Sequence, residues 1–265
     1  MLYIVNHRSF NILGNIAVVN FPYGTKLSDK KKFALEILNK NSFIKTVVEK
    51  SGNFAGRLRK METKHLAGEK NKEVLYKENN CSFRFNLDTT YFSPRLSNER
   101  KEIASCIKNN SSVLVMFAGV APFSIVIAKN SKPKEVYSNE INRAANKYGE
   151  LNAEINGVKN KIKFVNGDIK KVAVKLKEEG KKFDFIVMPR PNLKESFLEQ
   201  AFMLSKKGTI IFYYDFCKVD EVDKILEKIN KKALESGNRI KILNKKSAGE
   251  IAPYKIRIRV DFKVL

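Results

Sequence analysis

A chain of 265 residues can bury a sizeable core, as one large domain or two modest ones. Its 51 lysines and arginines against 28 aspartates and glutamates leave a net charge of +23, which favours a polyanionic partner, nucleic acid ahead of an anionic membrane. With two histidines and three widely spaced cysteines, the composition argues against a His-rich metal centre, a Ser-His-Asp triad, a zinc site and a disulfide framework. Cys81, Cys106 and Cys217 read as reduced thiols in or near a core. The most apolar stretch, residues 113–128, is too short for a membrane span and is broken by Gly119 and Pro122. The N-terminal M-L-Y-I-V-N-H-R lacks the layout of a signal peptide, so the expectation is a cytoplasmic protein without a membrane partner.

In chain order, residues 10–19 predict a hairpin turning at Gly14-Asn15. Residues 29–38 carry Phe33, Ala34, Ile37 and Leu38 at helical spacing. Residues 43–48 read as a strand, and 73–76 with 81–87 as a second hairpin around Glu78-Asn79-Asn80. Together, residues 1–90 predict a small basic α+β domain. The Gly-containing basic loop of residues 51–60 is either a solvated charge run or an RNA-contacting loop.

Residues 88–100 connect the halves. Pro94 forces Ser93 toward an extended conformation, and Ser97 predicts an N-cap for a helix from Asn98 to about Lys108. Beyond it the pattern alternates: strands at 113–117, 135–139, 161–165, 183–188, 209–214, 239–243 and 255–263, helices near 122–129, 142–156, 169–179, 194–205 and 219–236. Alternation of this kind implies a mostly parallel sheet covered on both faces. The loop between the last two strands is too short for a helical crossover, so they should pair antiparallel at one edge.

The stretch Val113 to Ser124, V-L-V-M-F-A-G-V-A-P-F-S, is a buried strand running into a small-residue turn, with Pro122 opening a helix. Open α/β sheets bind ligands at strand carboxyl ends, and there Glu140 stands twenty-one residues after Gly119, about the spacing of an acid for a ribose hydroxyl pair. NAD is a rival. Against it, the turn holds one glycine where G-x-G-x-x-G wants three, and Ala121 and Pro122 crowd the place of a pyrophosphate. S-adenosylmethionine, a nucleoside without pyrophosphate, fits better. Asp168 reads both as an acceptor for an adenine amino group and as an N-cap for the helix after it.

Several motifs carry a family resemblance: Tyr91-Phe92-Ser93-Pro94-Arg95-Leu96 with Glu99-Arg100, then 116–124, Asn139-Glu140-Ile141-Asn142, Gly167-Asp168, Tyr213-Tyr214 and Ala252-Pro253. From about residue 10 to 265 the chain resembles the tRNA guanosine-37 N1-methyltransferases of archaea and eukaryotes. The resemblance implies a class I methyltransferase, with a Rossmann-like seven-stranded sheet over residues 91–265, a small N-terminal α+β domain ahead of it, S-adenosyl-L-methionine as cofactor and the tRNA anticodon loop as partner. The further expectation is a monomer, with no metal ligands assigned. By motif, Glu99 resembles the general base that takes the guanine N1 proton, and Arg59, or Arg57, the cation near O6. Phe117, Ala118, Gly119, Val120, Phe123, Glu140, Asp168, Pro189 and Pro191 are implied around the cofactor, and Tyr91, Arg95 and Arg100 around the substrate. The alternative is that Glu99 pairs with Arg95 or Arg100 to brace the domain interface.

This chain departs from the family pattern in three ways. Val115 stands where an acid is usual, and Ala121 where glycine is. Pro189-Arg190-Pro191 stands where most members have Asn-Leu-Pro; with Glu at position 140, it is similar to a bifunctional archaeal subgroup that also methylates a wyosine intermediate at carbon 7. A further small domain that often opens archaeal members precedes the point where this chain begins. Val115 and Ala121 keep a second hypothesis open, a non-catalytic tRNA-binding protein that kept the fold.

Overall fold

Apolar residues at alternating or fully buried positions define the first strands, Phe10–Leu13 (β1) and Ile16–Val19 (β2), which pair antiparallel with Leu13 opposite Ile16. The computed structural model describes residues 10–52, 56–58 and 60–265, in two compact units, Met1–Pro94 and Arg95–Leu265.

In the first unit, helix α1 (Leu27–Lys40) crosses over so that β2 pairs in parallel with β3 (Thr46–Lys50), and β4 (Thr63–Gly68) closes the sheet in the order β1-β2-β3-β4. The α1 face with Ala34 and Ile37 packs on Ala17, Val19, Val47 and Leu66. Strand β3 begins three residues later than the pattern predicts. The Asn41 side chain donates to the Ile37 carbonyl and its carbonyl accepts from Ile44 N–H, so residues 41–44 form a turn. The sequence pattern does not announce β4, whose T-K-H-L-A-G does not alternate cleanly and which pairs across a bulge at Val47/Val48. Strands β5 (Glu73–Glu78) and β6 (Cys81–Asn86) form a separate ribbon turning at Asn79-Asn80, both at positive φ (48° and 59°) as a two-residue hairpin turn requires. Phe92 stacks on Phe85 at 4.8 Å and meets Tyr76 at 5.0 Å, so residues 91–94 stay with this unit, beyond the expected boundary at residue 90.

The second unit opens with α2 (Ser97–Cys106). Ser97 is the first helical residue rather than the cap, because a tight turn at Pro94–Leu96 leads into the helix and Leu96 takes the cap position. Strand β7 (Ser112–Val115) follows, with Val113, Leu114 and Val115 fully buried, each burial contributing about 1.5–3 kcal/mol. Then come α3 (Pro122–Asn130), β8 (Glu135–Glu140), α4 (Arg143–Ile155), β9 (Ile162–Asn166), α5 (Ile169–Glu178), β10 (Phe183–Met188), α6 (Leu198–Met203), β11 (Ser205–Lys218), α7 (Val222–Glu235), β12 (Ile240–Ala252) and β13 (Lys255–Val264). The seven strands lie in the order β12-β13-β11-β10-β7-β8-β9. Strands β11, β10, β7, β8 and β9 are parallel, β13 runs antiparallel to β11, and β12 antiparallel to β13 at the edge, as their short connection demands.

Three elements depart from the sequence pattern. Helix α6 covers only Leu198–Met203 of the expected 194–205, because Phe197 sits at φ 58° and Arg190 takes the Leu193 and Glu195 carbonyls that a longer helix would use internally. Strands β11 and β12 are longer than expected, running to Lys218 and Ala252. Of the cysteines, Cys81 is buried, Cys217 half-buried and Cys106 exposed, so Cys106 stands outside the core. Among the described residues no helix is long and apolar enough to cross a membrane.

Candidate active site at the carboxyl ends of the strands

From β7 the chain proceeds outward through β8 to β9 on one side, and later through β10 to β11 on the other. The crevice between the carboxyl ends of β7 and β10 is therefore the topological switch point, where open α/β sheets bind ligands. Two loops flank it: residues 116–121 after β7 and residues 189–197 after β10. They meet through Phe117 and Phe197, whose rings cross edge to face at 5.0 Å.

The first loop alternates backbone handedness. Phe117, Gly119 and Ala121 all have positive φ (57°, 59° and 64°), so two of its three left-handed positions are held by residues with a Cβ, a strain of about 1–2 kcal/mol each. The family's usual glycine in place of Ala121 would relieve one of them. The Ala121 methyl is fully buried, and it has room because α4 carries Gly149 opposite: a Cβ there would lie 2.9 Å from Phe164 Cε1 and 3.3 Å from Ala121 Cβ.

Three amides of this turn are already engaged. Ala118 N–H donates to the Asn139 carbonyl at 2.8 Å, Gly119 N–H to Glu140 Oε2 at 2.7 Å and Ala121 N–H to the Ala118 carbonyl at 2.9 Å, while Pro122 has none to give. A turn spent in this way offers little to a pyrophosphate. It suits a nucleoside whose hydroxyls and amino group are donors, and the acceptors stand ready. Glu140 ends β8 half-buried, with Oε1 accepting from Asn142 N–H at 2.8 Å; burial pushes its carboxyl up, against the Asn142, Gly119 and Ile141 amides that pull it down. Asp168 follows β9, where its Oδ1 accepts from Lys170 N–H at 3.0 Å and caps α5, so the cap reading holds. Val120 and Phe123 are buried beneath the turn, and Val115 is sealed in the strand, paired with Val187 and Ser138.

Asparagines that periodicity does not single out hold these ends in place. Asn139 Nδ2 donates to the Val165 and Gly167 carbonyls (2.9 and 3.0 Å), and Asn146 Nδ2 to the Glu140 carbonyl and Asn166 Oδ1 (2.9 and 3.0 Å).

After β10, Pro189 and Pro191 flank Arg190, which is 3% exposed. Its guanidinium pairs with Asp215, donates to the Leu193 carbonyl and reaches the Glu195 carbonyl at 2.6 Å. Asp215 in turn accepts from the Tyr213 hydroxyl at 2.8 Å and from Lys228 Nζ at 2.6 Å. Burial would raise the Asp215 carboxyl, but Arg190 and Lys228 outweigh it and hold it below the ordinary carboxylate value. The sequence points to the two prolines and not to this cluster, since nothing in the spacing of Arg190, Asp215 and Lys228 announces that they meet.

Glu99 lies on α2 at 6% exposure. Its Oε2 accepts from the Tyr214 hydroxyl at 2.7 Å and from Arg259 at 2.8 Å, and its Oε1 lies 2.9 Å from Lys246 Nζ. Ion pairs to Glu99 thus come from Arg259 on β13 and Lys246 on β12, strands distant in sequence from α2. Arg259, 1% exposed, also binds Asp261 through two nitrogens (2.8 and 2.9 Å) and Glu102 at 2.6 Å, while Lys246 also pairs with Glu102. Burial lifts the Tyr214 hydroxyl, and the Glu99 charge lifts it further, so it remains a proton donor throughout the neutral range. The one sequence signal for this network is the alternation of charged residues, Lys255, Arg257, Arg259, Asp261 and Lys263, with apolar ones along β13.

Arg100 is buried, with its guanidinium carbon 5.6 Å from the centre of the Phe123 ring; Arg95 is exposed. Tyr91 is half-buried in the first unit, Arg57 is exposed on its loop, and Arg59 lies outside the described residues.

The chain matches two family models, one described as the TRM5/TYW2 methyltransferase domain over residues 74–243 and one as the TYW2 N-terminal domain over residues 5–71. It is 34% identical over 257 residues, 97% of its length and 74% of the relative's, to the tRNA (guanine(37)-N(1))-methyltransferase Trm5b of Pyrococcus abyssi, whose crystal structure it matches with a TM-score of 0.84. To the tRNA (guanine(37)-N(1))/4-demethylwyosine(37)-methyltransferase Taw22 of Nanoarchaeum equitans it is 32% identical, covering 97% of this chain and 100% of the relative. A structure of aTrm5 in complex with tRNALeu matches with a TM-score of 0.82 at 27% identity, over 97% of this chain and 72% of that one.

Proposed function

The chain belongs to the TRM5/TYW2 methyltransferase family, and on that premise we propose that it transfers a methyl group from S-adenosylmethionine to N1 of guanosine 37 in tRNA. The observation that carries the reading is the switch-point end of the sheet, where the turn after β7 gives its Gly119 amide to Glu140 at the end of β8 and Asp168 follows β9. Those carboxylates would hold the cofactor by accepting from its ribose hydroxyls and its adenine amino group. Pro189 and Pro191 wall the crevice without offering N–H donors. When bound, the cofactor supplies an electrophilic methyl carbon, so most of the acceleration comes from holding guanine N1 in line with it.

Guanine N1 carries a proton at neutral pH, and its removal builds negative charge toward O6. Glu99 is the acceptor of that proton. Its Oε1 pairs with Lys246, whose side chain is 33% exposed, whereas Tyr214 and Arg259 hold Oε2 and fix the carboxylate's orientation. The non-catalytic alternative is set aside, because the relatives that match along 97% of this chain are named as methyltransferases.

A second activity, methylation of carbon 7 of the 4-demethylwyosine base, is favoured by the match to the full length of Taw22 and by Pro189-Arg190-Pro191. The test is incubation of a guanosine-37 tRNA transcript, and separately of tRNA carrying the tricyclic base, with S-adenosylmethionine, followed by nucleoside mass spectrometry. One methyl on N1-guanosine is the expected product of the first. Absence of that product removes the principal reading, and absence of product from the second removes only the dual activity.

A further inference from the structure

Strands β11 and β13 overshoot the parallel sheet on the side of the candidate site. The last residue of β10, Met188, pairs with Tyr213, yet β11 continues to Lys218, five residues further, hydrogen-bonded all the way to β13 with Lys218 opposite Lys255. At about 3.3 Å per residue the overhang reaches roughly 16 Å past the end of β10. Because β11 is parallel to β10, this is the carboxyl side, where the cofactor crevice opens.

The tip of the overhang is a two-residue turn, Pro253-Tyr254, between β12 and β13. It is fixed to the end of β11 by Val219 N–H donating to the Tyr254 carbonyl at 3.1 Å. Tyr254 takes a left-handed conformation, φ 59°, and its side chain is 84% exposed, with Val219 beside it at 58%. These residues line a largely apolar hollow with Pro253, and Lys218 and Lys255 stand on its rim against a single acid, Asp220. Behind the tip, Arg257 covers the Phe216 ring at 5.3 Å. An exposed aromatic face among cations, on a stiff ribbon, is the arrangement that stacks an unpaired base while the cations hold its phosphates.

We propose that the Tyr254 tip is a stacking platform for an unpaired nucleotide of the tRNA substrate, a few positions along the strand from the methylated base. The proposal rests on tRNA being the substrate. A base brought to the crevice for chemistry on N1 must leave its stack, so its neighbours are exposed and need partners. The overhang carries an aromatic ring on the crevice side of the sheet, roughly 16 Å past the end of β10, and duplex RNA, whose base faces are covered, has nothing to offer it.

The test compares wild type, Tyr254→Ala and Tyr254→Phe in binding to a guanosine-37 tRNA transcript and to a short blunt RNA duplex, across a salt series. Wild-type methylation of the transcript is measured in parallel. Tyr254→Ala should raise the tRNA Kd by about ten-fold or more, within the range of one lost base–aromatic stack. Its affinity for the duplex and for S-adenosylmethionine should not change, nor should the slope of log K against log salt, since no phosphate contact is lost. Tyr254→Phe should bind as wild type. Unchanged tRNA affinity in Tyr254→Ala, with a wild type that methylates the transcript, overturns the platform and leaves the substrate reading standing. A reduced salt slope, or equal weakening toward the duplex, also overturns it, because the residue then acts through backbone charge. A wild type that neither binds nor methylates the transcript overturns both.

Discussion

Glu99 must meet two demands at once: as a base it has to expose a lone pair to guanine, and as a buried anion it has to be compensated. The network answers the second through Arg259 and Tyr214 on one oxygen, and leaves the first to the oxygen paired with the partly exposed Lys246. Glu99→Gln is expected to lower the single-turnover rate of methyl transfer by about 10²–10⁴-fold and to flatten its pH dependence, with S-adenosylmethionine affinity retained. Should the rate survive with its pH profile intact, Glu99 is a brace for β13 and another group takes the proton. At the cofactor, Glu140→Ala should weaken S-adenosylmethionine binding by roughly 1.5–3 kcal/mol, about 10–150-fold in Kd, through loss of a charged acceptor. Calorimetry reads this directly, and an unchanged Kd would place the ribose elsewhere. The positions of both acids were legible in the sequence through motif resemblance; the partners of Glu99 were not, because Lys246 and Arg259 come from strands about 150 residues away, and no local period links them to α2.

At the scale of elements, the loop after β10 is held by a buried ion pair rather than by helix. Arg190 draws the Leu193 and Glu195 carbonyls inward, and Asp215, anchored on β11, receives its charge. Removing one partner of such a pair leaves the other charge buried and uncompensated, so Asp215→Asn should cost about 3–5 kcal/mol at neutral pH in denaturant unfolding. The pH dependence follows from the sign of the shift. The Asp215 carboxyl is lowered from its ordinary 3.8 in the folded protein, so its contribution is complete above that value and is lost as pH falls through the folded pKa. The gap between wild type and Asp215→Asn should therefore narrow below about pH 4. A gap constant with pH would mean that Asp215 stabilises by packing alone. The same ion pair explains why a helix predicted over 194–205 shrinks to Leu198–Met203: backbone propensity gave way to a buried guanidinium that needed acceptors.

Across the whole molecule, the charge of +23 makes phosphate contact the largest contribution to tRNA affinity. Binding should fall by roughly 10³–10⁵-fold between about 50 and about 200 mM salt if six to ten or so phosphates are contacted, and a flat dependence would remove nucleic acid as the main partner. The order of strands and helices in the second unit, the antiparallel final pair and the placing of Glu140 and Asp168 at strand ends were determined by the sequence alone. Each is written in short-range pattern: period-2 and period-3.6 burial, a glycine turn after a buried strand, a loop too short for a crossover. What the tertiary structure decided is long-range. It spent the turn's amides on Asn139 and Glu140, made room for the Ala121 methyl opposite Gly149, joined Arg190 to Asp215, and carried the β11–β13 ribbon past the sheet. These depend on which distant groups share a buried space and must satisfy one another's charge and hydrogen bonds there, a condition imposed only once the chain has closed on itself.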